Sequence, residues 1–371
     1  MLRFEQCRAR GATMNGDGPD GRVSGALPYD AFLLVSFGGP EGMADVEPFL
    51  DHVLRGRNVP PERRREVAHH YAQLGGVSPI NAQNRVLLEA IRGELDAHGP
   101  RLPVYWGNRN WHPFLADTLR AMAGDGVRRA LAFVTSAYSS YSGCRQYLED
   151  LARAREEVGP TAPIVDKLRV FHDHPGFVEA NAERVRETFA TLPPARGQAA
   201  RIAFTAHSVP TAMAAGSDYV AQLRETCALV AAAVPHATWA LVYQSRSGPP
   251  HQPWLEPDIL EHLDALRDEG VEDVIVAPVG FVSDHMEVVH DLDSAARERA
   301  AALGLGFARA GTAGTHPAFV RMVRELVEER VSGGERRALG ARGPRADTCA
   351  PDCCQSGTAR RPGTASAPSR G

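Results

Sequence analysis

Short apolar runs alternate with amphipathic segments through most of this chain, and that alternation restricts its fold more than any other feature. Runs rich in β-branched and aromatic residues lie at 31–37 (AFLLVSF), 104–107, 130–135 (ALAFVT) and 164–170. A second set lies at 202–206 (IAFTA), 239–243 (WALVY), 274–278 (VIVAP) and 306–310. Helical patterns lie between them, as at 86–97, 113–123, 219–233 and 257–268. Strand, helix, strand at this spacing predicts parallel sheets covered by helices on both faces.

The two sets read as copies. DTLRAMAGDGVRRALAFV (117–134) lies over EHLDALRDEGVEDVIVAP (261–278) without a gap, at a constant offset of 144. Leu119 then falls on Leu263, Met122 on Leu266, Gly126 on Gly270 and Val127 on Val271. AFLLVSFGGP and RIAFTAHSVP likewise each end a strand in a turn closed by proline. Helix–glycine–strand units also recur by chance. As a duplication, the pattern predicts an α/β protein of two similar halves with a cleft between them.

A chain of 371 residues has room for two such halves. Its formal net charge of −4 argues against nucleic acid as a main partner, because phosphate neutralisation needs a clustered basic surface. No apolar run approaches the roughly 20 residues of a membrane-spanning helix. The first 25 residues lack the continuous apolar region of a secretory signal, so a cytoplasmic protein is expected. Residues 1–28, rich in Gly, Asp and Arg, read as a disordered leader, and 332–371 as a flexible tail. Of six cysteines, Cys7, Cys144 and Cys227 are scattered, whereas Cys349, Cys353 and Cys354 crowd into DTCAPDCC. In a large cytosolic chain these do not read as a disulfide framework.

Chemistry concentrates at two strand ends. In open parallel sheets, ligands sit beyond the carboxyl ends of the strands. His207, Ser208 and Pro210 follow the first strand of the second half, and PVGFVSDHMEVVHDLD (278–293) follows its third. A helix starting near Ser283 or Asp284 sets Glu287 and Asp291 on one face, and neighbouring first and third strands let His207 and Glu287 share the cleft. An imidazole and a carboxylate suit a borderline divalent metal, Fe(II), Co(II) or Zn(II), and the same pair serves as proton acceptors. The plainer alternatives are a solvated helix start with Asp284 as N-cap and Glu287 completing a capping box, and a His207 that satisfies backbone groups.

Other strand-end turns carry weaker signals. SFGGPEG (36–42) lacks both a Walker lysine and a GxGxxG, so no nucleotide is expected. GGVSPIN (75–81) sets Ser78 where it caps a helix or meets a ligand. GNRNWHP and TSAYSSYSGCRQY supply aromatic, amide and hydroxyl groups, and Arg109, Arg145 and Arg246 can pair with carboxylates on a large planar ligand.

Taken together, LLVSFGGPEG, HYAQLGGVSPIN, YWGNRNWHPF, AHSVP, VYQSRSGPPHQPWLEPD and PVGFVSDHMEVVHDLD run in order from Tyr29 to Val331, and over that span the chain resembles the ferrochelatases of haem biosynthesis. These enzymes are lyases that insert Fe(II) into a porphyrin, and the likeness is strongest to the actinobacterial coproporphyrin III ferrochelatases. The resemblance implies two Rossmann-like domains, 29–140 and 141–315, with a porphyrin cleft between them and a last helix at 316–331 packed back on the first domain. It implies that His207 and Glu287 are the catalytic and metal-site pair and that Asp291 supports them. Ser78 and Tyr147, with Tyr71 a weaker match, become porphyrin contacts. The next acidic position of the family falls on Ala295, and the first-strand tyrosine of some members is Phe37 here.

The same branch implies a [2Fe–2S] cluster on Cys144, Cys349, Cys353 and Cys354, although C-x3-C-C is a compressed spacing. A zinc site and uncoordinated tail thiols are the alternatives. The implied reaction uses coproporphyrin III and Fe(II) as substrates, with an iron donor or a downstream haem-pathway enzyme as partner. Protoporphyrin IX as the substrate, a cobalt chelatase and a non-catalytic tetrapyrrole carrier remain competing readings.

Overall fold

The computed structural model describes residues 27–56, 59–234, 238–248 and 251–356. Among them, eight strands form two four-stranded sheets, every pairing parallel. β1 (Ala31–Ser36), β2 (Val104–Asn108), β3 (Arg129–Val134) and β4 (Ile164–Lys167) lie in the order β2-β1-β3-β4. β5 (Arg201–His207), β6 (Trp239–Gln244), β7 (Asp273–Ala277) and β8 (Gly306–Arg309) repeat it as β6-β5-β7-β8.

Every residue of β1 is buried, because helices cover both faces of the sheet. Side chains alternate between those faces. Phe32 and Leu34 meet Leu87, Ile91 and Leu95 of the helix Ile80–His98 on one side. Ala31, Leu33 and Val35 meet Leu115, Leu119 and Met122 of the helix Leu115–Gly124 on the other.

The 144-residue offset is visible in the backbone. The helices Leu115–Gly124 and Ile259–Asp268 both close through a glycine in the left-handed region, Gly126 at φ +82° and Gly270 at φ +76°. In each, the next valine donates to a carbonyl of the last helical turn, Val127 to Met122 and Val271 to Leu266, both at 3.0 Å. Only glycine adopts that φ without strain, which accounts for its recurrence at both positions.

The helix Pro317–Val331 does more than pack on the first domain. Phe319, Val323 and Leu326 join Leu87 and Ile91 of one half, and also Phe177 and Ala180 of the helix Pro175–Phe189 in the other. The approach is close at Gly176, where a Cβ would lie 2.5 Å from the Ala318 carbonyl oxygen.

Three expectations change. A boundary at residue 140 is overturned, since β4 belongs to the first sheet, with Ala130 paired to Val165. The tail is not free from residue 332: although irregular, residues 332–356 form a strap along the body. Arg169, itself in a buried ion pair with Glu329 at 2.8 Å, donates to the Arg337 carbonyl at 2.8 Å. Leu339 N–H donates to Asp173 O at 2.9 Å, and Arg345 pairs with Asp218 at 2.6 Å. The leader at 1–26, the tail beyond 356 and Cys7 lie outside the described residues. Thirdly, the acidic segment after β7 has no capping box. Its N-cap is His285, while Asp284 pairs with Arg309 at 3.1 Å and its N–H donates to Gln83 of the first half at 2.8 Å.

Candidate active site

His207 ends β5, in register with Gln244 of β6. Its Nδ1 lies 2.5 Å from the carbonyl oxygen of Ser208. A carbonyl only accepts, so Nδ1 carries a proton and Nε2 is left to face the cleft. Tyr219 donates its hydroxyl to the His207 carbonyl at 2.9 Å, which fixes the strand end.

Glu287 enters from a short helical turn, Met286–Val288, that runs directly into a π-helix at Val289–Ala296. Its Oε2 lies 3.4 Å from His207 Nε2 and 3.9 Å from His285 Nδ1. Burial pushes the Glu287 carboxyl up, yet the hydrogen bond and charge of His207 outweigh it and, helped by His285, hold it down at about 2. Burial works against the His207 imidazolium, but Glu287 raises its pKa above the ordinary value. In the case of His285, burial prevails and keeps the ring on the neutral side. Each charge thus stabilises the other, an imidazolium beside a carboxylate.

Asp291 follows on the wider π turn. Its Oδ2 accepts from the Ser245 hydroxyl and from Gln244 Nε2 at 3.4 Å, and its Oδ1 lies 3.1 Å from His290 Nδ1. Ser245 holds a left-handed φ of +61° just past β6, which aims its hydroxyl at the carboxylate. Sequence reasoning passed over Gln244 and Ser245. Their signal was the polar QSRSG directly after a buried strand. The π turn matters because such turns displace side chains from regular helical positions and recur at functional sites. The first half has one too, at Tyr141–Arg145 after β3.

Other expected residues distribute unevenly around the pair. Tyr71, on the helix Pro61–Gln73, is buried against Phe49 with ring centroids 5.7 Å apart, and both burial and the Glu287 charge raise its phenol. It belongs to the same small cluster as Met286, next to Glu287. Ser78 is buried in the loop before Ile80, its N–H on the Pro40 carbonyl at 2.9 Å and its side chain against Gly39, so it joins the first half's two cleft loops. Tyr147 is not brought to the pair. Its ring packs in the first half's core with Leu115 and Leu151, under the Arg109 guanidinium at 4.7 Å. Arg109 in turn lies 5.8 Å over Phe37, the residue ending the first-strand motif where the second half has His207. Across the lip, His70 and His290 stack with centroids 3.7 Å apart.

The cysteines do gather. Buried Cys144, on the first π turn, is close enough to Cys349 that each thiol shifts the other, Cys144 up and Cys349 down, and Cys353 acts on Cys349 as well. Sγ of Cys353 and Cys354 lie 3.2 Å apart. Cys354 adopts a left-handed φ of +54°. Cys227 is separate, buried in the second half's core.

The ferrochelatase family profile matches residues 29–331. The chain is 56% identical over 339 residues to the ferrochelatase of Rhodopirellula baltica, covering 90% of this chain and 95% of that one. It is 52% identical over 371 residues to the coproporphyrin III ferrochelatase of Streptomyces coelicolor, covering 94% and 98%. It is also 52% identical to that of Nocardia farcinica, covering 91% and 99%. Among solved structures, SirB from Bacillus subtilis with Fe3+ superposes with a TM-score of 0.51 at 13% identity, over 82% of this chain and 96% of that one, a likeness of fold.

Proposed function

The chain belongs to the ferrochelatase family, and we propose that it inserts Fe(II) into coproporphyrin III to give the iron porphyrin, with His207 and Glu287 as its central residues. One observation carries the residue assignment: an imidazole nitrogen and a carboxylate oxygen 3.4 Å apart at the carboxyl ends of a parallel sheet. The relatives named for coproporphyrin support that substrate over protoporphyrin IX.

Both Fe(II) and the porphyrin are substrates. As the metal enters, two pyrrole N–H bonds break and two protons leave, with no change of oxidation state. Glu287, ionised across the working range, attracts the cation. Iron at the carboxylate displaces the positive charge of His207, whose Nε2 proton passes out to solvent, and the neutral ring then takes the two pyrrole protons in turn, handing on the first before it receives the second. Asp291, held by Ser245 and Gln244, continues the acidic line and relays protons outward. In this reading Tyr71 and Ser78 contact the porphyrin, and Tyr147 acts through Arg109.

We infer that Cys144, Cys349, Cys353 and Cys354 hold a [2Fe–2S] cluster. Four neighbouring thiols, Cys353 and Cys354 in contact and Cys144 and Cys349 acting on each other, supply the usual ligand set, and no acidic side chain needs to join them. When bound, the cluster ties the strap to the first π turn and confers redox sensitivity on that tie. Free thiols fit a cytoplasmic location, and among the described residues no helix is long and apolar enough to cross a membrane. An iron donor or the next enzyme of the pathway would meet the cleft.

The test is a metal-insertion assay with Fe(II) on coproporphyrin III and protoporphyrin IX, run beside His207→Ala and Glu287→Gln. Near-normal insertion by either variant defeats the residue assignment, and preference for protoporphyrin IX defeats the substrate.

A further inference from the structure

Away from the cleft, the chain leaves β4 and turns through His172 and Asp173 into the helix Pro175–Phe189, beside the helix Tyr219–Ala232. His172 and Asp173 are 2% and 1% exposed. Nε2 of His172 lies 3.0 Å from Glu225 Oε2, and its Nδ1 lies 3.8 Å from Asp173 Oδ1. That Nδ1 and that Oδ1 have no hydrogen-bond partner. With the ring proton on Nε2 donated to Glu225, Nδ1 is a bare lone pair facing a carboxylate oxygen. Two buried acceptors confront each other with nothing between them, which native interiors rarely tolerate.

The surroundings do not relieve this. His172, Asp173 and Glu225 line a cavity of about 60 Å³ roofed by the strap residues Arg342 and Arg345. Both arginines are turned to Asp218, at 3.3 and 2.6 Å. Gly340 crosses so near the two carboxylates that a Cβ would lie 2.7 Å from the Glu225 carboxyl and 2.8 Å from Asp173 Oδ2. One ligand atom from each of His172, Asp173 and Glu225 lies within 4.8 Å of the others. Metal–nitrogen and metal–oxygen bonds of about 2.0–2.2 Å set ligand atoms no more than about 4.4 Å apart, so one ion would draw these three side chains slightly together.

We propose that His172, Asp173 and Glu225 form a resident divalent-cation site, distinct from the His207–Glu287 pair, which takes a first-row ion on one nitrogen and two carboxylates and pins residues 340–345 to the body. One imidazole with two carboxylates suits ions between Mn(II) and Zn(II). Burial keeps His172 on its neutral side, the form that ligates. The site fastens the same strap that carries the cysteines.

Full-length protein is stripped with chelator and titrated with Mn(II), which favours oxygen and nitrogen over thiolate donors, with bound ion counted by electron paramagnetic resonance. Parent protein should bind about one equivalent more than Asp173→Asn, and that equivalent should persist in His207→Ala. Trypsin should cut after Arg342 and Arg345 about tenfold faster in stripped protein than at an ion concentration about ten times its Kd. Equal stoichiometry in the parent and Asp173→Asn, with Mn(II) and again with Zn(II), overturns the proposal and leaves a water pocket. If Asp173→Asn fails to fold, Glu225→Gln, on a side chain 27% exposed, makes the same comparison.

Discussion

Nε2 of His207 and Oε2 of Glu287 lie 3.4 Å apart although they arise from different strand ends of one sheet. Nδ1 of that histidine is committed to the Ser208 carbonyl, so the ring cannot turn away without losing a hydrogen bond. Nε2 is thus oriented by backbone, and the charge of the ring by one carboxylate.

Removing either partner should stop the chemistry and spare porphyrin binding. His207→Ala and Glu287→Gln are each expected to lower kcat by about 10²–10⁴-fold, the range for loss of a positioned acid or base. Porphyrin affinity, read by fluorescence quenching, should change little. A parallel loss of affinity would mean that the pair holds the macrocycle instead.

The pair also sets a pH dependence. Because Glu287 raises the His207 imidazole, kcat/KM for Fe(II) should rise with pH through that raised pKa. Glu287→Gln should move the His207 titration, followed by NMR, to lower pH. Stability runs differently. The raised imidazole stabilises fully below its ordinary 6.5 and loses that contribution as pH climbs through the folded value. The depressed carboxyl stabilises fully above its ordinary 4.5, a contribution lost as pH falls through about 2. Between 4.5 and 6.5 both are present. A melting temperature insensitive to Glu287→Gln in that window would contradict the coupling.

Anaerobically purified protein should show visible absorption and cluster iron, and Cys144→Ser or Cys354→Ser should abolish both. Retention of the spectrum in Cys354→Ser would remove that cysteine from the ligand set.

Gly176→Ala tests the clasp between the halves. The added methyl would meet the Ala318 carbonyl at 2.5 Å and Met322 Cβ at 2.8 Å, so the two helices must separate. The expected cost is about 1–3 kcal/mol, visible as a lower Tm. An unchanged Tm would show that the helices slide freely.

Much of the fold was legible because buried parallel strands leave apolar runs and because a left-handed glycine recurs at Gly126 and Gly270. His207 and Glu287 were legible because strand ends in such sheets face ligands. Gln244 and Ser245 were not, since their role depends on a lateral contact with Asp291 that no local spacing records. The strap escaped for a related reason. Arg169, Asp173 and Asp218 hold it by charge and backbone hydrogen bonds, which leave no hydrophobic period. Tyr147 marks another limit: its motif match implies a porphyrin contact, but the match carries no sign of the Arg109 guanidinium that covers its ring.

The helix Pro317–Val331 is made after both sheets, yet it completes a core shared by Leu87 and Phe177. On the ribosome, then, each half can assemble as it emerges, and contacts such as Asp284 to Gln83 can join them before the helix Pro317–Val331 adds its apolar share. A nascent chain halted short of residue 317 would carry both sheets with their shared core incomplete.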